Sequence, residues 1–416
     1  MAANLRDRLN RIRELKKSEG LQEPKNTRSP CENVSVADVS ALTEKGWEEC
    51  GFQVLKREVV YEAPFKRTRK KLPDALEIVV PDLAGRDLPA LEDFLFFDLE
   101  TTGLSGGAGT TAFLAAFGRI AAGKLHITQY LLLDYPRESD FLDAVLKEFK
   151  NEKSVIVTYN GKCFDSQILK TRCLMNGIRP PEYLHADLLY PARRLWKNII
   201  ADCSQGSVET RILGLDRSGD IPGALAPEIW FEFLKTGRTE RLQGICDHNC
   251  ADIAGLSSML AAMVLIADDP FDSKYRYDIE RLSLHWRDFV RRTEKTQNCG
   301  LYITGEKLLR LAADNNFPRA AFVYAAFILR SGNYKEGRKR LQKIAEADFP
   351  EKIKAAALRT LAIDSERRLK CFEEALAFVK RGLELRETSA LWHSGFERQK
   401  ERLEKKLRQE LSRTEG

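Results

Sequence analysis

The sequence predicts a mixed α/β domain followed by an all-α region of helical-repeat character. Three observations carry this expectation. Residues 92–270 present three strand-like runs in quick succession and then alternate helical and strand-like patterns. Beyond residue 301 Gly and Pro thin out, and Ala, Leu, Lys, Arg and Glu dominate. At 416 residues the chain also exceeds a single compact core, so roughly two to three domains are expected.

Taken in order, residues 1–38 read as a basic N-terminal helix and linker. Leu5, Leu9, Ile12 and Leu15 recur at helical spacing among Arg and Lys, and a polar stretch with Pro and Ser follows. Residues 39–91 form a strand-containing extension, with Phe52, Val54, Val59 and Val60 in a β-branched run and the basic run KRTRKK at 66–71. Inside 92–270, FLFFDLE (94–100), TAFLAAFGRI (111–120) and KLHITQYLLL (124–133) are joined by short Gly-containing turns, which predicts antiparallel pairing. A helix near 138–150, an apolar strand SVIVTYN (154–160), a helix to Gly177, and a short strand feeding a helix in HADLLYPARRLW come next. Helices at 226–236 and about 240–267 close the unit. Residues 271–300 are a helical connector, and 301–416 a domain of helical hairpins similar to tetratricopeptide repeats. In those hairpins Tyr334 of NYKEG matches Phe372 of CFEEA.

Composition narrows the class of function. Hydrophobic residues at 43% argue against global disorder, and a net charge of +6 permits a polyanionic partner without requiring one. The nine Cys are scattered with no C-x-x-C, which suits a reducing cytosol better than a disulfide framework. Cys246 and Cys250 flank His248 but read as one helical turn of buried thiols rather than a metal clip. The N-terminus lacks the apolar region of a signal peptide, and the longest apolar run, Leu256 to Ala267, is short for a membrane span. A cytoplasmic protein with no membrane span is expected.

The chemistry centres on Asp98 and Glu100. Residues i and i+2 of a strand face the same way, so these carboxylates project together, with Leu99 opposite. Two acids at the end of a buried strand repel each other unless a cation or a proton compensates, and hard carboxylate oxygens suit Mg²⁺ or Mn²⁺. Asp165 opens the helix after SVIVTYN, where the helix dipole favours an acid. Asp252 shares a helical face with His248 at i−4. His185 and Asp187 lie on one face of a short strand, as supporting residues of the site or as a structural strand end. His126 is a strand surface residue. His285 belongs either to a packing seam or to a nucleic-acid face, with the seam favoured. The Gly run in LSGGAGTT lacks the Lys of a phosphate-binding loop and reads as a hairpin turn.

DLETTG, NGKCFD and HNCADI together resemble the three motifs of the DEDD exonuclease superfamily, whose fold is RNase H-like. With GLSGGAGTTAFLAAFG, HADLLYPARRLW and DIPGALAPEIWFEFL, the sequence is most similar to the YprB-like family over about 92–267. That resemblance implies a bacterial protein in which Asp98, Glu100, Asp165 and Asp252 hold two divalent cations, Mg²⁺ or Mn²⁺. It implies phosphodiester hydrolysis from a 3′ end of single-stranded DNA or RNA. Thr101, Thr102, Gly103 and Leu104 fall where such enzymes hold the terminal nucleotide, and Asn160 is grouped with them as substrate-binding. The superfamily carries a Tyr four residues, or a His five residues, before its last Asp. Here His248 stands at four and Asp247 at five, so His248 is the candidate base in an altered spacing. Arg193, Arg194, Lys197 and KRTRKK could form a phosphate-binding rim. Two alternatives stay open: a weak or inactive nucleic-acid-binding scaffold working through its helical repeats, which would also offer a surface to protein partners, and a structure-specific endonuclease.

Overall fold

The computed structural model describes residues 39–65, 72–84, 88–103, 109–150, 154–292, 299–386 and 389–414. The basic segment at 3–17 with its linker, the KRTRKK run and Leu104 lie outside these residues.

Seven strands form one mixed sheet in the order β1-β2-β5-β4-β3-β6-β7. They are β1 (Trp47–Gly51), β2 (Val54–Glu62), β3 (Phe94–Thr101), β4 (Ala112–Ala121), β5 (Lys124–Leu132), β6 (Val155–Thr158) and β7 (Leu184–Asp187). The β3-β4-β5 meander is antiparallel, as the short turns predict, and Ala122 and Gly123 both take positive φ in the tight β4–β5 connection. β1 and β2 of the 39–91 extension add a hairpin to the same sheet, through the antiparallel pairing of β2 with β5. β6 and β7 run parallel to β3. The carboxyl ends of β3 and β6 therefore meet at one edge of the sheet, where open α/β sheets place their ligands.

The helices relevant to this architecture are α1 (Leu76–Val79), α2 (Glu138–Val145), α3 (Asp165–Met175), α4 (Leu189–Trp196), α5 (Ala226–Thr236) and α6 (Glu240–Asp268). After them come α7 (Ile279–Arg292), α8 (Cys299–Asp314), α9 (Pro318–Arg330), α10 (Tyr334–Glu346), α11 (Glu351–Asp364), α12 (Phe372–Leu383) and α13 (Ala390–Thr414).

Period-two alternation in β3 sorts its side chains between two cores. Phe94 and Phe96 face a core shared with α6, while Leu95, Phe97 and Leu99 face a core closed by α2, α3 and α5. All five side chains are buried, so truncating Phe96 to Ala should cost about 3–5 kcal/mol. Asp98 and Glu100 extend the row of Phe94 and Phe96, which is the face that α6 covers. Gly118 on β4 permits that cover. A Cβ there would lie 2.5 Å from Cγ2 of Ile253 on α6, so only glycine allows the helix this close.

Among the described residues α6 is the one helix long and apolar enough to cross a membrane, yet most of its apolar stretch is buried inside the protein. It is a core helix, and both Cys246 and Cys250 sit in it as buried thiols. α7 ties the helical region to the sheet. Leu282, Trp286 and Phe289 join the core of β3 and α6, and His285 Nε2 donates to the Ile78 carbonyl on α1 at 3.0 Å. His285 is thus part of a packing seam. Beyond it, α8 to α13 stack as antiparallel helices around a separate core that includes Leu341, Leu358, Leu361 and Phe396. Tyr334 and Phe372 occupy the equivalent first positions of α10 and α12.

Candidate metal centre

Three segments deliver acids to the edge where β3 and β6 end. β3 supplies Asp98 and Glu100, the first residue of α3 supplies Asp165, and α6 supplies Asp252. Asp165 is 5% exposed, and Asp98 and Glu100 are only partly reached by solvent. Burial, followed by the negative fields of Asp165, Asp252 and Glu100, holds the Asp98 carboxyl well above its ordinary range. Glu100 is raised in the same way, by burial and then by Asp252, Asp165 and Asp220. Burial pushes Asp165 up to about 7, against backbone N–H donors at Asp165 and Leu99 that favour its charged form. Asp252 is also raised by burial, against the lowering fields of His248 and Arg217.

One oxygen or nitrogen each from Glu100, His248 and Asp252 lies within 4.8 Å of the others, a separation one cation can span. Four carboxylates whose charges oppose one another, with hard oxygen donors converging, fit a divalent cation. The residues present therefore suit the metal that the sequence motifs imply.

Several groups fix this arrangement that the sequence did not single out. Asn249, fully buried on α6, donates to Asp98 Oδ2 at 2.7 Å and accepts from Gln129 Nε2 at 2.9 Å. Gln129 in turn accepts from Arg57 of β2 at 2.7 Å, so the N-terminal hairpin supports the site through a buried relay. Asp220 lies 2.8 Å from His248 Nδ1, while His248 Nε2 faces Asp252 Oδ2 at 3.3 Å. Asp220 thus fixes the ring through Nδ1 and leaves Nε2 turned toward the acids. Gly223 gives the ring room, because a Cβ there would sit 2.9 Å from Nε2. Arg217 pairs with Asp252, with Asp220 at 2.9 Å and with the fully buried Glu209 at 2.6 Å. Arg217 thus places a positive charge against one of the four acids.

Other candidates hold the frame of the site. Thr101 Oγ1 donates to the Gly103 carbonyl at 3.0 Å, and Thr102 Oγ1 accepts from Thr111 N–H at 3.0 Å, so both hydroxyls close the turn after β3. Asn160 takes φ +66°, and its N–H donates to Asp187 at 2.8 Å, with Lys162 N–H and Leu189 N–H converging on the same carboxylate. Asp187 is fully buried and organises the turn that delivers Asp165. His185 contacts Thr158 Oγ1 at 2.8 Å and Ser166 Oγ at 3.3 Å, and burial pulls its imidazole down to about 4. The structure therefore places His185 and Asp187 beside the acid cluster, behind Asp165. His126 is exposed on β5. Asp220 was concealed in the sequence because its loop has no periodicity. Asn249 could have been noticed, since it neighbours His248 within the motif HNCADI.

Residues 95–264 match the family model of the RNase H superfamily. The uncharacterized protein YprB of Bacillus subtilis (strain 168) is 41% identical over 176 residues, which is 41% of this chain and 42% of that protein. The match thus spans less than half of either chain. A crystal structure of E. coli exonuclease I in complex with a dT13 oligonucleotide is similar over 36% of this chain and 42% of its own. Its identity is 20% and its TM-score 0.26, a likeness that bears on neither substrate nor mechanism.

Proposed function

Taking residues 95–264 as an RNase H-like domain, we propose that this protein is a divalent-metal-dependent nuclease of DEDD type that removes nucleotides from the 3′ ends of single-stranded DNA or RNA. The observation that carries the reading is the convergence of Asp98, Glu100, Asp165 and Asp252 from three segments on one edge of the sheet. Bound there, two cations, Mg²⁺ or Mn²⁺, would supply the positive charge that steadies the attacking and leaving oxygens of a phosphodiester. Asp98, Glu100, Asp165 and Asp252 would hold them. Asn249 keeps Asp98 oriented by its hydrogen bond at 2.7 Å. His248, fixed by Asp220, presents Nε2 to take a proton from the attacking water. The turn closed by Thr101 and Thr102 shapes the ledge on which the terminal nucleotide rests, and Asn160, exposed at the β6–α3 turn, lies on the same edge.

One observation favours a second reading, a nucleic-acid-binding protein with little turnover. Arg217 already neutralises part of the charge on Asp252. The two are separated by incubating 3′- and 5′-labelled single-stranded DNA and RNA with Mn²⁺, beside Asp98→Ala. Stepwise shortening from the 3′ end that Asp98→Ala abolishes supports the exonuclease. Absence of metal-dependent cleavage on every substrate overturns it, and cleavage of circular strands reassigns the protein as an endonuclease.

A further inference from the structure

The helical region carries a feature that the acid cluster does not use. Two adjoining cavities, of 320 and 630 Å³, run along the face made by α7, α8, α9 and α11 and share Arg287 and Arg330 in their walls. The first adds Arg291 with Tyr302, and the second adds Arg367 and Arg368 with Tyr334. Five arginines thus face two acids, Glu306 and Asp364, and Asp364 is already held by Arg338 and Arg368 at 2.7 Å. Among the described residues Arg291, Arg330 and Arg367 make no ion pair. Arg287 is only 18% exposed, and its nearest carboxylate is its neighbour Asp288 at 3.4 Å. Burial, together with the fields of Arg291 and Arg330, lowers its pKa, as expected of a cation set among cations. Five arginines along one concave face raise a local positive potential that draws an anionic occupant.

We propose that this arginine-lined groove binds single-stranded nucleic acid, with the arginines on successive phosphates and Tyr302 beneath a base. The choice of polymer rests on the nuclease reading above. Two features of the groove point the same way. Its positive charge extends over two consecutive cavities, which suits a polymer rather than a single phosphate. Tyr302 is 38% exposed beside the arginines and offers a ring on which a base can stack, while the Tyr334 ring already carries the Arg368 guanidinium at 4.2 Å from its centroid.

The test uses the full chain carrying Asp98→Asn, in chelator, so that the probe is not consumed. Binding of fluorescein-labelled oligothymidylate and oligouridylate is followed by anisotropy across a salt series. The variant Arg291→Gln/Arg330→Gln/Arg367→Gln alters exposed side chains only, and its circular dichroism should match the parent. Expected is a loss of affinity of about tenfold or more. The slope of log K against log salt should also become shallower by about 2, since each phosphate that an arginine neutralises on a single strand adds about 0.7 to it. Unchanged affinity and slope would overturn the proposal, as would tighter binding of a polyglutamate peptide than of either oligonucleotide. Cleavage of a short oligonucleotide with Mn²⁺, in chains that keep Asp98, separates the two readings. A failed nuclease reading appears as no cleavage by the parent chain, and a failed groove as unchanged binding by the variant.

Discussion

The Arg217 guanidinium reaches Glu209, Asp220 and Asp252 at once, and Glu209 has no exposure to solvent. Removing the arginine strands a buried carboxylate. Arg217→Met should therefore cost about 3–5 kcal/mol in urea unfolding, and Glu209→Gln/Arg217→Met should recover most of that loss. Gly223→Ala tests the neighbouring contact. Its methyl would press on His248 Nε2, so cleavage should fall by about tenfold or more while the melting temperature holds. Undiminished cleavage would remove His248 from the reaction. The acids themselves make a pH prediction. Asp98, Glu100, Asp165 and Asp252 all have folded pKa values above the ~4 of an unfolded carboxyl, about 7 for Asp165. Between those limits the folded state binds more protons than the unfolded state, so their contribution is full below pH ~4 and is lost as pH rises through the folded values. In chelator, melting temperatures should fall less from pH 5 to 8 in Asp165→Asn than in the parent, and Mn²⁺ should stabilise the parent more at pH 8 than at pH 5.

At the scale of elements, the seam between α7 and α1 has the opposite pH slope. Burial, and then Arg194, pull the His285 imidazole down to about 4, below its unfolded value of ~6.5. Its contribution is present above pH ~6.5 and is lost as pH falls toward 4. His285→Gln should keep a donor for the Ile78 carbonyl and flatten the acid side of the stability curve, measured by thermal melts from pH 4 to 7. Elements also show what the sequence could disclose. The alternation in FLFFDLE placed Asp98 and Glu100 on one face because strand periodicity is local, and β3 bears that out. The helix starting near Asp165 and the His248–Asp252 face were legible for the same reason. Asp220 and Arg217 were not. They sit in an irregular loop, and their partners stand 28 and 35 residues away, so only the folded chain brings them together. The pairing of β2 with β5, across 72 residues between Arg57 and Gln129, was hidden in the same way.

For the whole molecule, one of the two cores flanking the sheet runs through α6 to α7, and another core fills the helices beyond it. The first sets the acids rigidly at the sheet edge, and the second builds the arginine-lined face. Charge is thereby sorted within a chain whose net is only +6: acids gather at the sheet edge, and arginines gather along one face of the helical region. The proposed nuclease reading requires that the four carboxylates share divalent metal. Calorimetric titration of Mn²⁺ into the metal-free chain at pH 7.5 tests this directly, with Asp98→Asn as the comparison. Saturable binding by the parent that is weakened about tenfold or more in Asp98→Asn is the predicted result. Equal binding by the two, or none by the parent, would contradict it.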